Sequence, residues 1–135
     1  MGDFINFKKI KNVVVALTLF VSVSVIIGWL FGIRRILSVI PDGPTMKFNT
    51  ALLFLLLSFG LFASLKEINW YRFFNTIIAC VILFIGLVTL SQYHLDFSLY
   101  IDNLFTQDTY STELPGRMSQ ATALCFTLMG IGLLG

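Results

Sequence analysis

One histidine, His94, and three aspartates at six-residue spacing, Asp96, Asp102 and Asp108, have the types suited to acid–base or metal chemistry. Such chemistry needs the groups to converge on one point. Six-residue spacing through a loop does not enforce convergence, unlike a calcium loop with its glycine turn and closing glutamate. The aspartates therefore read as a solvated face. His94 ends an apolar run, so an ordinary interfacial tip is the expectation, with a ligand or pH-switch role as the sharper alternative. Haem between helices usually asks for a second strong axial ligand, and only Met46, Met118 and Met129 could serve. Cys80 and Cys125 lie in different apolar runs without metal spacing and read as small buried hydrophobes. No phosphate loop, nucleophile elbow or zinc spacing occurs. The expectation is a segment without catalysis, metal or cofactor.

The elements that would carry these residues are apolar. Hydrophobic residues make up 57% of the 135 residues and charged ones 12%, against about 45–50% and about 25% in soluble domains. The charges cluster, leaving long runs with none, as a bilayer-spanning helix requires. A net charge of +2 and the lack of a basic stripe speak against nucleic acid.

Lys8, Lys9 and Lys11 precede the run Val13 to Ile33, which at 21 residues exceeds the roughly 7–15 of a signal peptide's apolar core. It reads as a retained spanning helix. Within it Gly28 and Gly32 form a GxxxG pair suited to close helix contact. Arg34 and Arg35 mark the exit boundary, with Ile36 to Ile40 at the interface or finishing the helix. Pro41 to Pro44 is a turn. A second helix, 48–65, begins with Asn49 and Thr50 as capping side chains; Gly60 and Ser64 supply a small-residue packing face. A polar connection with Glu67, Trp70 and Tyr71 leads to a third helix, 73–91. Phe97, Tyr100, Ile101, Leu104 and Phe105 fall on one helical face, predicting a short amphipathic helix at about 97–105. A fourth helix, 120–135, is short for a span, from which a fragment of a longer chain is expected. Thr18, Ser22, Ser24, Ser58 and Thr127 are expected to bond between helices.

The second and fourth helices resemble each other. Met46 to Ala63 aligned on Met118 to Gly135 gives 8 identities in 18 positions, including Met, Thr-Ala-Leu and Phe at the polar entrance. A prolyl turn precedes each. The fold class predicted is an all-α integral membrane protein of four transmembrane helices, arranged as two tandem helix-hairpin repeats, with the amphipathic helix in the second outer loop. The leading lysines favour a cytoplasmic N-terminus, by five basic residues inside to four outside.

The stretch GWLFGIRRILSVIPDGPTMKFNTALLFLLL, and YHLDFSLYIDNLF followed by PGRMSQATALCFTLMGIGLL, resemble the N-terminal membrane region of bacterial sensor histidine kinases and diguanylate cyclases, often with PAS domains. The resemblance covers residues 25–135 and is most specific at Met46 to Phe54 and Pro115 to Phe126. Its second copy has Ala121 where asparagine is usual, so Thr122 would take over the capping role. The resemblance implies a sensory or anchoring module of the bacterial inner membrane. Its output domain would lie beyond residue 135, its partners would be the bilayer and a second copy, and its ligand is open. A self-contained membrane subunit packing through Gly28, Gly32, Gly60 and Ser64 is the alternative. A transporter fragment ranks last, because no ionisable residue falls at mid-span.

Overall fold

A computed structural model describes residues 2–38, 40–66 and 69–135, with side chains from Asn6 onward. Five α-helices follow in order: α1 Gly2–Phe31, α2 Arg34–Leu37, α3 Phe48–Lys66, α4 Tyr71–His94 and α5 Gln120–Leu134. No strand occurs among the described residues. Three helices are long and apolar enough to cross a membrane: residues Asn6–Phe31 of α1, all of α3 and all of α4. With 15 residues, α5 extends about 22 Å at 1.5 Å per residue, short of the roughly 20 residues of a full span. By length, then, the expectation of four spans is met by three.

Each long helix buries a stripe. Val15, Ser22, Val25 and Trp29 recur at near-helical spacing on α1, as do Asn75, Ile78, Ile82, Gly86, Thr89 and Gln92 on α4. Outside the stripes the surface is apolar, with Phe20, Phe31, Phe73 and Phe84 all more than 60% exposed. Such a surface suits lipid, where it costs nothing to leave apolar side chains uncovered. Cys80 and Cys125 belong to this exposed surface, which corrects the expectation of burial.

The principal contacts pair α1 with α3 and α4 with α5, and α3 against α4 joins the pairs. Between α4 and α5 the backbones come close. A Cβ on Gly86 would lie 2.6 Å from Thr127 Oγ1 and 3.1 Å from the Ala123 carbonyl; one on Gly130 would lie 3.1 Å from the Leu83 backbone nitrogen. Small residues at the interface permit this approach. The main apolar cluster, Leu53, Leu57, Ile78, Ile82, Met118, Ala123 and Phe126, then fills the space where α3, α4 and α5 meet.

Two expected elements differ. α1 begins at Gly2 rather than near residue 13, because a helix continues through Lys8, Lys9 and Lys11 at no cost once they are solvated. In place of a helix over 97–105 there is only a 3₁₀ turn, Tyr100–Asn103. Its Ile101 and Asp102 carbonyls instead accept from Asn49 at 3.2 and 3.4 Å. Tyr100 is 94% exposed and Leu104 66%, whereas Phe105 lies against Phe48 of α3 with ring centres 5.7 Å apart, so the periodic apolar residues do not share one packed face. The expected Ile36–Ile40 segment includes Val39, and the polar connection includes Glu67; both lie outside the described residues.

Hydroxyls in the helices were expected to bridge between helices. Thr18, Ser22, Ser58 and Thr127 each donate instead to the carbonyl four residues back in their own helix, at 2.6 to 2.8 Å. That local bond satisfies the group wherever the neighbour lies.

Candidate functional site

The two ion pairs of the 95–119 loop lie at one end of the protein, where α1 stops, α3 and α5 start and α4 stops. α1 ends because Gly32 takes φ +66°, a left-handed conformation that suits glycine, and the Ile33 N–H closes on the Gly28 carbonyl at 2.8 Å. The chain then folds back so that Leu37 of α2 is buried against α1, and the Met46 N–H donates to the Leu37 carbonyl at 2.8 Å. Trp29 Nε1 donates to the Met46 carbonyl at 2.8 Å. A turn at Pro41-Asp42, with the Gly43 N–H donating to the Ile40 carbonyl at 2.9 Å, supplies the reversal, as the prolyl sequence predicts.

Residues 95–119 cross over this end and are held by two ion pairs. Lys47, one residue before α3, donates from Nζ to Asp108 Oδ2 and Ser111 Oγ. Asp108 also accepts from the Gly116 N–H at 2.9 Å, the Tyr110 N–H at 3.0 Å and the Ser111 N–H at 3.2 Å. Its side chain is 1% exposed. Burial alone would push this carboxyl up, but the hydrogen bonds from Lys47, Gly116, Ser111 and Tyr110 outweigh it and hold the pKa at about 2.

The second pair joins Arg117, three residues before α5, to Asp102 at 2.9 Å. Asp102 accepts from Gln92 Nε2 at 3.3 Å as well, and the Arg117 guanidinium lies 5.4 Å from the centre of the Tyr93 ring. Tyr93 in turn donates its hydroxyl proton to the Met118 carbonyl at 2.9 Å. Gly116, at φ +75°, packs so tightly that a Cβ there would collide with the Asp102 carbonyl and the Asn103 side chain. Two of the three loop aspartates are thus used as partners for cations, not gathered around an ion. Among the described residues no three His, Cys, Asp or Glu side chains come together.

The residues singled out by sequence are distributed as follows. Asn49 is buried, but its amide donates to the loop carbonyls rather than capping α3. Thr50, also buried, sits inside the first turn. The cap of α5 is Ser119, whose Oγ accepts from the Thr122 N–H at 3.2 Å; Thr122 is the capped residue, not the capping one. Gly28 makes room for a neighbour within the chain, with its Cβ position 2.9 Å from Leu37 of α2. Gly60 and Ser64 both face Asn75 of α4: Ser64 Oγ accepts from Asn75 Nδ2 at 2.6 Å, and a Cβ on Gly60 would lie 3.1 Å from Asn75 Oδ1. His94 is exposed, with Nδ1 3.1 Å from the Leu90 carbonyl of its own helix.

Sequence reasoning missed Lys47, Arg117 and Gly116, and assigned Asp102 and Asp108 to solvent. A signal was present. Each cation sits beside the methionine that opens one copy of the Thr-Ala-Leu motif, and the acidic residues concentrate in the one loop that could meet them.

Between these two entrances lies a cleft of about 650 Å³, walled by Pro44 to Lys47 and Thr50 on one side and by Leu114, Arg117 to Ser119 and Thr122 on the other, with Tyr93 between. Compared with models of known protein families, with curated proteins and with solved structures, the chain matches none of them.

Proposed function

We propose that this chain is the membrane-embedded input or anchoring module of a bacterial signal-transduction protein, passing a stimulus to a cytoplasmic output domain beyond residue 135. The observation that carries the reading is the double clasp: the cations that lead α3 and α5 each hold one aspartate of the same loop. A change in that loop would be felt at the ends of two helices at once, which is what a helix-packing switch requires.

The tandem-repeat reading supports the proposal. Ala51 and Ala123, equivalent in the aligned copies, are both fully buried, and the equivalent Phe54 and Phe126 meet edge-on with ring centres 4.9 Å apart. In this reading α1–α3 and α4–α5 are the two hairpin units, and α5 is the fourth membrane helix. The N-terminus lies in the cytoplasm of a bacterial inner membrane, so residues 95–119 face outward. The resemblance of residues 25–135 to the membrane regions of sensor kinases and cyclases points the same way.

The test is the reading frame that encodes the chain, followed by a readout of its output. A kinase or cyclase domain after residue 135, whose activity changes when Asp108→Asn or Asp102→Asn opens one clasp, is the expected result. A frame that stops at Gly135 removes the proposal.

A further inference from the structure

The seam between α1 and α3 is closed at one end and open at the other. Near the clasps Val25, Trp29, Leu37 and Ala51 pack it shut. At the far end it opens into a groove of about 190 Å³, walled by Ile10, Lys11 and Val14 of α1 and by Leu61 and Leu65 of α3, with the buried Val15 also in the lining. These walls face outward. Ile10 is 57% exposed and Val14 48%, Lys11 is exposed, and Leu61 and Leu65 are half-buried.

The groove is polarised along its length. Lys11 carries the one charge in the lining. Val14 and Val15 follow it toward mid-span on α1, as Leu61 lies toward mid-span from Leu65 on α3. A cationic rim leading into an apolar trough is the complement of an anionic head with an alkyl tail. The Lys11 ammonium lies 5.0 Å from the centre of the exposed Phe7 ring and pairs with no carboxylate among the described residues.

The charge around it has the same sign. By chain position Lys8, Lys9, Lys11, Lys66 and Arg72 stand at this end against Asp3 and Glu67, whereas at the clasp end four basic residues meet five acidic ones. An anion is therefore drawn to this end and not to the other. The size of the groove limits what can enter it. One helical turn, about 5.4 Å long and 10–12 Å across, occupies roughly 500 Å³, so a helix of a second copy would rest on the rim rather than fill the trough.

We infer that this groove holds one tail of an anionic phospholipid, with the phosphate on the Lys11 ammonium. The lysine acts as a point charge toward the phosphate, and the tail lies along Val14, Leu61 and Leu65. The inference needs only that the helices stand in a bilayer; it goes beyond the module reading and is independent of it.

The test is native mass spectrometry of the full chain released from detergent, titrated with phosphatidylglycerol, phosphatidylcholine and diacylglycerol of the same acyl chains. One phosphatidylglycerol is expected to be retained about tenfold more tightly than either of the others. Lys11→Gln should remove most of that preference. Lys8→Gln, outside the groove, should cost less than the roughly fivefold of a lysine in the general surface potential. Val14→Trp should fill the groove and bring phosphatidylglycerol down to the retention of phosphatidylcholine, while Val13→Trp, at a similarly exposed site outside the lining, should change nothing. In the unmodified chain, phosphatidylglycerol with a diazirine in its acyl chain should label residues 10–15 and 61–65. Equal retention of the three lipids, equal losses from Lys8→Gln and Lys11→Gln, or labelling spread over every exposed helix surface would overturn the inference. So would displacement of the lipid by an equal concentration of glycerol 3-phosphate, which would assign the site to a soluble anion, or a dimer that Val14→Trp dissolves while no lipid is retained, which would assign it to a second copy.

Discussion

The α1–α3 pair and the α4–α5 pair are built by different means. In α4–α5 the backbones approach through Gly86 and Gly130, with Thr127 and Ala123 filling the groove. In α1–α3 the contact is made by side chains, with Val25, Trp29, Leu37 and Ala51 as its buried cluster and Tyr110 of the loop packed against it. Each pair is also closed at one end by its own ion pair, Lys47–Asp108 for the first and Arg117–Asp102 for the second. The difference teaches where each pair is brittle. Glycine contacts have no slack, because the obstacle to a larger residue is backbone. Side-chain contacts can rearrange.

Gly86→Leu is therefore expected to have the largest effect. A side chain there meets the Ala123 carbonyl and Thr127, and overpacking of this kind costs about 3 kcal/mol. Helicity followed through a detergent-unfolding titration should show α4–α5 separating first. Gly60→Ala, whose obstacle is the Asn75 side chain, should cost well under half as much; equal losses at the two sites would remove the distinction between backbone and side-chain obstacles.

Next come the clasps. Asp108→Asn leaves Lys47 with its side chain 15% exposed and no carboxylate, for an expected loss of about 2–3 kcal/mol. Asp102→Asn should cost less, because Asp108 accepts three backbone N–H bonds in addition to its ion pair while Asp102 accepts from two side chains. The reverse order in a chemical-denaturation series would show that Arg117, not Lys47, anchors the loop.

Acid should reproduce part of the first loss. Asp108 has a folded pKa of about 2 against an ordinary 3.8, so the unfolded chain takes up the proton first. The stabilisation is fully present above pH 4 and disappears as pH falls toward 2, amounting to about 2 kcal/mol. A stability profile between pH 5 and 2 measures it, and Asp108→Asn should flatten that limb.

The smallest effects are expected from the hydroxyls that bond within their own helices. Ser22→Ala and Thr127→Val each remove a bond made within one helix, and should change stability by less than about 0.5 kcal/mol. A larger loss at Ser22 would mean that the α1–α3 contact depends on a polar bridge after all.

Much of the architecture was legible without coordinates. Apolar runs of about 20 residues broken by Arg34-Arg35, Pro41 to Pro44 and Lys66 place the helices of the α1, α3 and α4 regions, because a run without charges has few alternatives to a helix in lipid. Residues 97–105 misled the periodicity argument: apolar spacing there matched a helix, yet Asn49 and Gln92 claimed the backbone and side-chain acceptors around Asp102.

The sequence by itself determined the composition of the spans, the turns between them and the resemblance of the two motif copies. These are local matters, settled by propensity and by hydrophobic run length. Only the tertiary structure decided which aspartate meets which cation, that Gly86 and Gly130 bring α4 and α5 together, and that Thr45 and Arg117 line one cleft. Lys47 and Asp108 are 61 residues apart along the chain. Such pairings arise from packing, and no local pattern encodes them.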